Sequence, residues 1–324
     1  MNQYEPSFLK TLLEKMLLIR FFEEKAAQMY GLRKICGFLH LYIGQEAVAV
    51  GSIAALDLSR DYVVAAYRDH GHALACGMDP KAAMAELFGK ATGCSKGKGG
   101  SMHFFDSEHH MLGGNGIVGS QIPVATGVAL KIRNMKEDGV VLCFFGDGAI
   151  HQGAFHESLN MARIWNLPII YICENNQYGM GTFYKRVSAV TEFSKMTVAY
   201  DVPGKTIDGM DVLTVYEEMK AAVENVRKER IPMFFEIKTY RYKGHSMSDP
   251  AKYRTKEEVE EYRKLDPIER LKSKMLEWNV LTQEAFEQIQ KSVIAQVEEA
   301  VQFAEKSPEP PLEELYKDVL VEER

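Results

Sequence analysis

The chain has little of what several function classes are built from. Its five cysteines, at positions 36, 76, 94, 143 and 173 of 324, are scattered and odd in number, with no C-x-x-C pair. That usage argues against a thiolate zinc site and favours a reducing compartment. Cys143 and Cys173 lie inside apolar runs, where a free thiol behaves as a small hydrophobe. The nine histidines include no H-x-x-x-H or H-E-x-x-H spacing, so a histidine zinc site lacks support as well. No apolar run approaches the roughly 18 residues of a membrane-crossing helix. Basic residues are not in excess: the net charge is −6, which gives no electrostatic reason to expect nucleic acid or an anionic membrane as partner. The opening "MNQYEPSFLKTLLEKMLLIRFFEEK" has neither an uninterrupted apolar core nor a small-residue cleavage site. It reads as an amphipathic helix rather than a targeting peptide. Internal repeats, low-complexity tracts and linkers are absent too, so the expectation is one domain over 1–324. Its core would span about 30–265, with a helical C-terminal extension over about 266–324.

What the sequence does hold is concentrated in its middle. "VVLCFFGDGAIHQG", from Val140 to Gly153, is an apolar run that stops on Gly-Asp-Gly. "LPIIYICENN" is a second run, and it stops on Glu174, Asn175 and Asn176. Between them Gln152–Trp165 has helical spacing, with Phe155, Leu159 and Ala162 on one face. Strand Val140–Phe145, this helix and strand Pro168–Cys173 make a βαβ unit. Apolar runs without alternation imply a parallel sheet covered on both faces. Further helices are expected over 1–30, in "DPKAAMAELFGKATG", in "VLTVYEEMKAAVENVRKER" and twice beyond Asp266, with a strand in "PMFFEIKTYRY" and a loop over 182–205. The fold class expected is α/β: a mostly parallel sheet flanked by helices, with helical N- and C-terminal extensions.

In such a sheet, ligands sit beyond the carboxyl ends of the strands. Asp147 and Asn176 both fall there. Gly146 and Gly148 leave room for a diphosphate and its metal to approach the backbone. A carboxylate, an amide oxygen and a free carbonyl in "NQYG" would suit an octahedral Mg²⁺ site completed by diphosphate and water. Either motif alone is an ordinary turn; the pair, one helix-and-strand unit apart, is harder to explain so. "GNGIVG" (Gly114 to Gly119) satisfies the dinucleotide fingerprint G-x-G-x-x-G, but "DSEHHMLG" before it is no strand, and the nicotinamide reading fails on that context. "AAYRDHGH" places Tyr67, Arg68, His70 and His72 after a short apolar run, where a guanidinium can clamp phosphate. His245 lies in a Gly/Ser-rich loop, a placement that alone says only that it is exposed.

Taken together these residues carry a resemblance. "GDG", 26 residues, then "NN" is the thiamine diphosphate signature. Around it, "GFLHLYIGQEA", "AAYRDHGH", "GKGGSMHFF", "GGNGIVGSQIP", "ICENNQYGMGT", "TYRYKGHSMSDPAKYRT" and "SPEPPLEEL" resemble alpha subunits of the pyruvate dehydrogenase complex decarboxylase component. These belong to the thiamine diphosphate-dependent 2-oxoacid dehydrogenase family, and the likeness spans roughly residues 10–320. It implies the thiamine diphosphate-binding fold, with Asp147, Asn176 and the Tyr178 carbonyl holding Mg²⁺. It places His40, Tyr67 and Arg68 at the diphosphate region, Gly148 and Ala149 amides on the diphosphate, and Gly116 and Val118 at the aminopyrimidine end. His245 would stand over the active centre, handling protons or acyl transfer. The implied activity is oxidative decarboxylation of pyruvate, with the acetyl group passed to the lipoyl group of a dihydrolipoyl transacetylase. The activating glutamate of the family is carried by a beta subunit, which implies an α₂β₂ assembly with the site at the α–β interface. Small residues Gly119, Ala125, Gly127 and Ala129 suit close helix packing at a subunit contact, or equally ordinary internal packing.

The sequence departs from mitochondrial members. It shows no transit peptide, lacks an extra serine in "DPAKYRT", and has Phe183 where a phosphorylated serine can stand. A bacterial cytoplasmic enzyme without kinase control is the expectation, though Ser246 and Ser248 are kept. "YIGQEAVAVG" would suit an acetoin dehydrogenase, and a branched-chain 2-oxoacid enzyme is a second sister reading; "YRYKGHSMSDP" and "YGMGT" tilt the choice to pyruvate.

Overall fold

The structure, a computed structural model, describes residues 4–319. Helix α1 (Pro6–Gly31) is followed by α2 (Glu46–Ile53), the short strand β1 (Tyr62–Val64), α3 (His70–Cys76) and α4 (Pro80–Leu87). A long irregular stretch leads to α5 (Gln121–Asn134), then β2 (Val141–Gly146), α6 (Gly153–Ile164) and β3 (Ile169–Asn175). A two-residue ladder, β4 (Tyr178–Gly179) with β5 (Thr182–Phe183), precedes β6 (Gly204–Asp208), α7 (Val212–Glu229) and β7 (Met233–Lys238). Helices α8 (Lys256–Arg263), α9 (Pro267–Glu277) and α10 (Gln283–Lys306) follow.

The main sheet has the order β1-β2-β3-β7-β6, with every pairing parallel. Its central strands β2, β3 and β7 are buried on both faces, and their period of two splits the core. Leu142, Phe144, Ile170, Ile172, Phe235 and Ile237 face one apolar cluster; Val141, Cys143, Phe145, Ile169, Tyr171, Cys173 and Phe234 face the other. This is why the runs in β2 and β3 show no alternation: both sides are covered, so successive positions are apolar up to the strand ends. The first cluster is closed by α1, α2, α7 and α10, the second by α5 and α6. Side-chain caps fix several helix starts: Asp211 accepts from Leu213 N–H, Asp266 from Ile268 and Glu269, Thr282 from Ala285. Helices α9 and α10 pack on α1, so the C-terminal segment shares the first cluster.

Three expectations need adjustment. The strand over "PMFFEIKTYRY" ends at Lys238, because Tyr240 leaves the sheet and stacks on Tyr262 of α8 at 3.9 Å. The 182–205 stretch is not all loop, since it holds β5, two 3₁₀ segments and the start of β6. Ala125 and Ala129 are fully buried against the sheet, so for these two the internal-packing reading holds; Gly127 is exposed. His70 and His72, which follow Arg68 in "AAYRDHGH", lie buried within α3. Among the described residues no helix is long and apolar enough to cross a membrane.

Candidate active site

Register sets the site. Gly146 at the end of β2 pairs with Glu174 in β3, so Asp147 and Asn176 emerge together at the carboxyl edge. The three polar residues ending β3 divide their work. Asn175 is structural: its Nδ2 donates to buried Glu236 at 2.7 Å, and its Oδ1 accepts from Gln177 N–H at 3.2 Å. Glu174 accepts from the Tyr42 hydroxyl and sits 3.2 Å from His72 Nε2. Asn176 faces Asp147 across the crevice floor.

That inner crevice is lined by Gln45, Tyr67, Arg68, Val118, Gln121, Asp147, Gly148, Ala149, Glu174, Asn176, Tyr178, Arg241 and His245. At Tyr67, Val118, Met180 and His245 it meets an outer chamber of about 580 Å³, which also includes Phe38, His40 and Gly116. All eleven residues that the sequence singles out thus line one continuous depression: His40, Tyr67, Arg68, Gly116, Val118, Asp147, Gly148, Ala149, Asn176, Tyr178 and His245. A Cβ added at Gly146 would meet no protein atom within 4 Å, so the fold itself leaves room there for a side chain. The backbone of Gly148 lies against Gly179, whose Cα stands 3.6 Å from a Cβ built on Gly148.

Charge inside the crevice is unusual. Burial pushes the Asp147 carboxyl up to about 6, against the opposing pull of the Arg241 guanidinium. Arg68 and Arg241 are both buried, yet their partners are neutral oxygens. Arg68 donates to the Leu41 carbonyl at 2.6 Å and to the His245 carbonyl at 2.7 Å. Arg241 donates to the Tyr178 and Met180 carbonyls, each at 3.0 Å, to the Tyr253 hydroxyl at 2.9 Å and to Asn176 Oδ1 at 3.5 Å. Burial and the neighbouring Arg241 lower Arg68 to about 10. Two desolvated cations without a carboxylate partner are costly unless an anion joins them.

Imidazoles line the mouth. The His40 ring lies 4.7 Å from Tyr67 and 5.1 Å from His245, centroid to centroid. Burial, then the Arg68 charge, lowers His40 to about 3 and His245 to about 4, so both are neutral at pH 7. Each has a buried Nδ1 without a hydrogen-bond partner. Two glutamines complete the lining. Gln121 Nε2 donates to the Phe144 carbonyl at 3.2 Å, leaving Oε1 unpartnered; Gln45 Oε1 accepts from Asn176, leaving Nε2 unpartnered.

This donor set fits an anionic ligand with phosphate oxygens: two guanidiniums, the orphaned Gln45 amide donor and a glycine turn without protein behind it. One carboxylate, one amide oxygen and one carbonyl are hard oxygens of the kind Mg²⁺ takes. Clusters of three or more His, Cys, Asp or Glu are absent among the described residues, which excludes a metal site of that composition there. Sequence reading missed Gln45, Gln121 and Arg241. All three lie within blocks that carry the resemblance, but the Gln45 partner is 131 residues away and the carbonyls and amide that Arg241 meets at the crevice are 61–65 away, so adjacency gave no signal.

Comparison with known proteins agrees with this geometry. The sequence model for "Dehydrogenase E1 component" matches residues 14–313. A pyruvate dehydrogenase E1 component subunit alpha of Rhizobium meliloti (strain 1021) is 52% identical over 308 residues, covering 95% of this chain and 88% of the relative. The protein of the same description from Rickettsia bellii (strain RML369-C) is 46% identical over 324 residues, 99% of each chain. That of Porphyra purpurea is 47% identical over 314 residues, 95% of this chain and 91% of the relative. With the match spanning nearly the whole chain and the crevice intact, the chain belongs to the dehydrogenase E1 component family.

Proposed function

We propose that this chain is the alpha subunit of a pyruvate dehydrogenase (acetyl-transferring). Joined to a beta subunit, it decarboxylates pyruvate and passes the acetyl group to the lipoyl group of a dihydrolipoyl transacetylase. The single observation that carries the reading is the pair of buried guanidiniums, Arg68 and Arg241, facing Asp147 without a carboxylate partner for either. Asp147, Asn176 Oδ1 and the Tyr178 carbonyl would hold Mg²⁺, and Arg68 with the backbone of Gly148 and Ala149 would hold the diphosphate. The outer chamber, with Gly116, Val118, His40 and Tyr67, would take the rest of the cofactor. Thiamine diphosphate, when bound, supplies the nucleophilic carbon and the electron sink that loss of CO₂ from a 2-oxoacid needs.

The chain's own contribution is positioning and proton handling. His245, neutral at pH 7 with a free Nδ1, can take or give a proton at the chamber mouth, and Arg68 fixes its backbone. The mouth carries exposed apolar side chains, Phe38, Ile117 and Met180, which suit cover by a second subunit. An α₂β₂ assembly in the cytoplasm follows the same reading, supported by the bacterial relatives. The test is lipoyl acylation by the complex with its beta chain, offered pyruvate, acetoin or a branched-chain 2-oxoacid, with carbon dioxide release read for the two oxoacids. Preference for pyruvate is expected; equal or better use of another substrate would overturn the assignment.

A further inference from the structure

Gln45 stands at the start of α2, fully buried, and lines the inner crevice beside Asp147 and Arg68. The direction of its amide is fixed by hydrogen bonding that begins at Arg241. A guanidinium only donates. Arg241 Nη1 and the Tyr178 N–H, also a donor, both stand 3.5 Å from one atom of the Asn176 amide, which must therefore be its oxygen. Asn176 Nδ2 then points the other way, 3.1 Å from Gln45, and needs an acceptor, so Gln45 must turn Oε1 toward it. What remains is Gln45 Nε2, a buried N–H donor with no partner, in the wall of the crevice. Burying an unpaired amide donor is unfavourable, and such groups are rare without a reason.

We propose that Gln45 is a ligand-binding and positioning residue: Nε2 donates to a diphosphate oxygen, while Oε1 holds the Asn176 amide with its oxygen toward Asp147. The inference rests on the thiamine diphosphate reading and deepens it. One side chain thus couples the anion side of the site to the metal side. A second glutamine sharpens the assignment by contrast. Gln121 already has its Nε2 engaged with a carbonyl, and the atom it leaves without a partner is Oε1, an acceptor, which phosphate oxygens cannot use. Of the two orphaned amide atoms, only Gln45 Nε2 is a donor that can serve a diphosphate.

The test uses the full chain with its beta subunit and the Gln45→Glu variant, which keeps an acceptor for Asn176 but replaces the donor with a negative oxygen. Calorimetric Kd values are measured with Mg²⁺ for thiamine diphosphate and for inorganic diphosphate, together with the melting temperature without ligand. The expected result is at least a tenfold rise in both Kd values, by a similar factor, with the ligand-free melting temperature within about 2 °C of the parent. Should Gln45→Glu fail to fold, Gln45→Met removes donor and acceptor without adding charge, and the same rise is expected. Kd values within twofold of the parent for the folded variant would overturn the role of Gln45 alone. A parent complex that binds neither ligand would overturn the thiamine diphosphate reading itself.

Discussion

Arg68 donates through Nη2 to the backbone carbonyl of His245 at 2.7 Å, joining segments 177 residues apart. Its Nη1 reaches the Leu41 carbonyl at 2.6 Å, so one buried guanidinium ties the loop after β1 to both walls of the chamber. The same cation holds His245 neutral by adding its charge to the effect of burial. Arg68→Met should therefore weaken thiamine diphosphate binding by roughly 10–100-fold, the loss of one or two charge-assisted hydrogen bonds. Isothermal titration of the complex checks this; an unchanged Kd would remove Arg68 from the anion site.

Asp147 is a buried carboxylate with its proton affinity raised mainly by desolvation. A residue kept at such a cost serves function before stability. Asp147→Asn relieves the desolvation while nearly preserving shape. The ligand-free melting temperature should stay level or rise by roughly 1–3 °C, while Mg²⁺-dependent cofactor binding is lost. Differential scanning calorimetry with and without thiamine diphosphate reads both effects.

His245 titrates near 4 in the folded chain against an ordinary 6.5. Between those values the unfolded chain binds a proton that the folded chain refuses, so stability from this group is present above about 6.5 and lost as pH falls toward 4. His245→Gln lacks that loss. The melting temperature of the variant minus that of the parent should become more positive as pH falls from 7 to 4, and a flat difference would contradict the neutral-imidazole assignment.

Away from the site, Asp61 is fully buried and accepts from Arg227 Nη1 and Nη2 at 2.9 and 2.7 Å, and from Val140 N–H at 2.9 Å. This pair fastens α7 to the β1–β2 edge. Arg227→Ala strands the carboxylate and should cost about 3–5 kcal/mol, measured by denaturant unfolding. A loss under about 1 kcal/mol would show that the backbone donors alone satisfy Asp61.

The βαβ unit was legible because a doubly covered parallel strand reads as an unbroken apolar run, and Val141–Gly146, Gly153–Ile164 and Ile169–Asn175 lie within one or two residues of expectation. Asp147 and Asn176 were legible because the same unit places both at strand ends. Strand β6 was not, since "GKTID" is largely exposed and carries one buried apolar residue, Ile207. Helix α8, in "KEEVEEYR", buries no residue fully and so has little apolar signature. Arg241 and Gln45 act through partners distant in sequence, and no local spacing reveals a guanidinium that meets two carbonyls and an amide. The resemblance carried the roles of His40, Gly116 and Val118, which residue chemistry alone does not single out.

The most direct measurement is the calorimetric titration of thiamine diphosphate into the complex, with Mg²⁺ and then with the metal chelated, for the parent and for Asp147→Ala. Saturable binding by the parent that disappears on chelation, and is absent from Asp147→Ala in either condition, is the predicted result. Equal binding with the metal removed, or by Asp147→Ala, would contradict the account of the crevice as a metal-dependent diphosphate site.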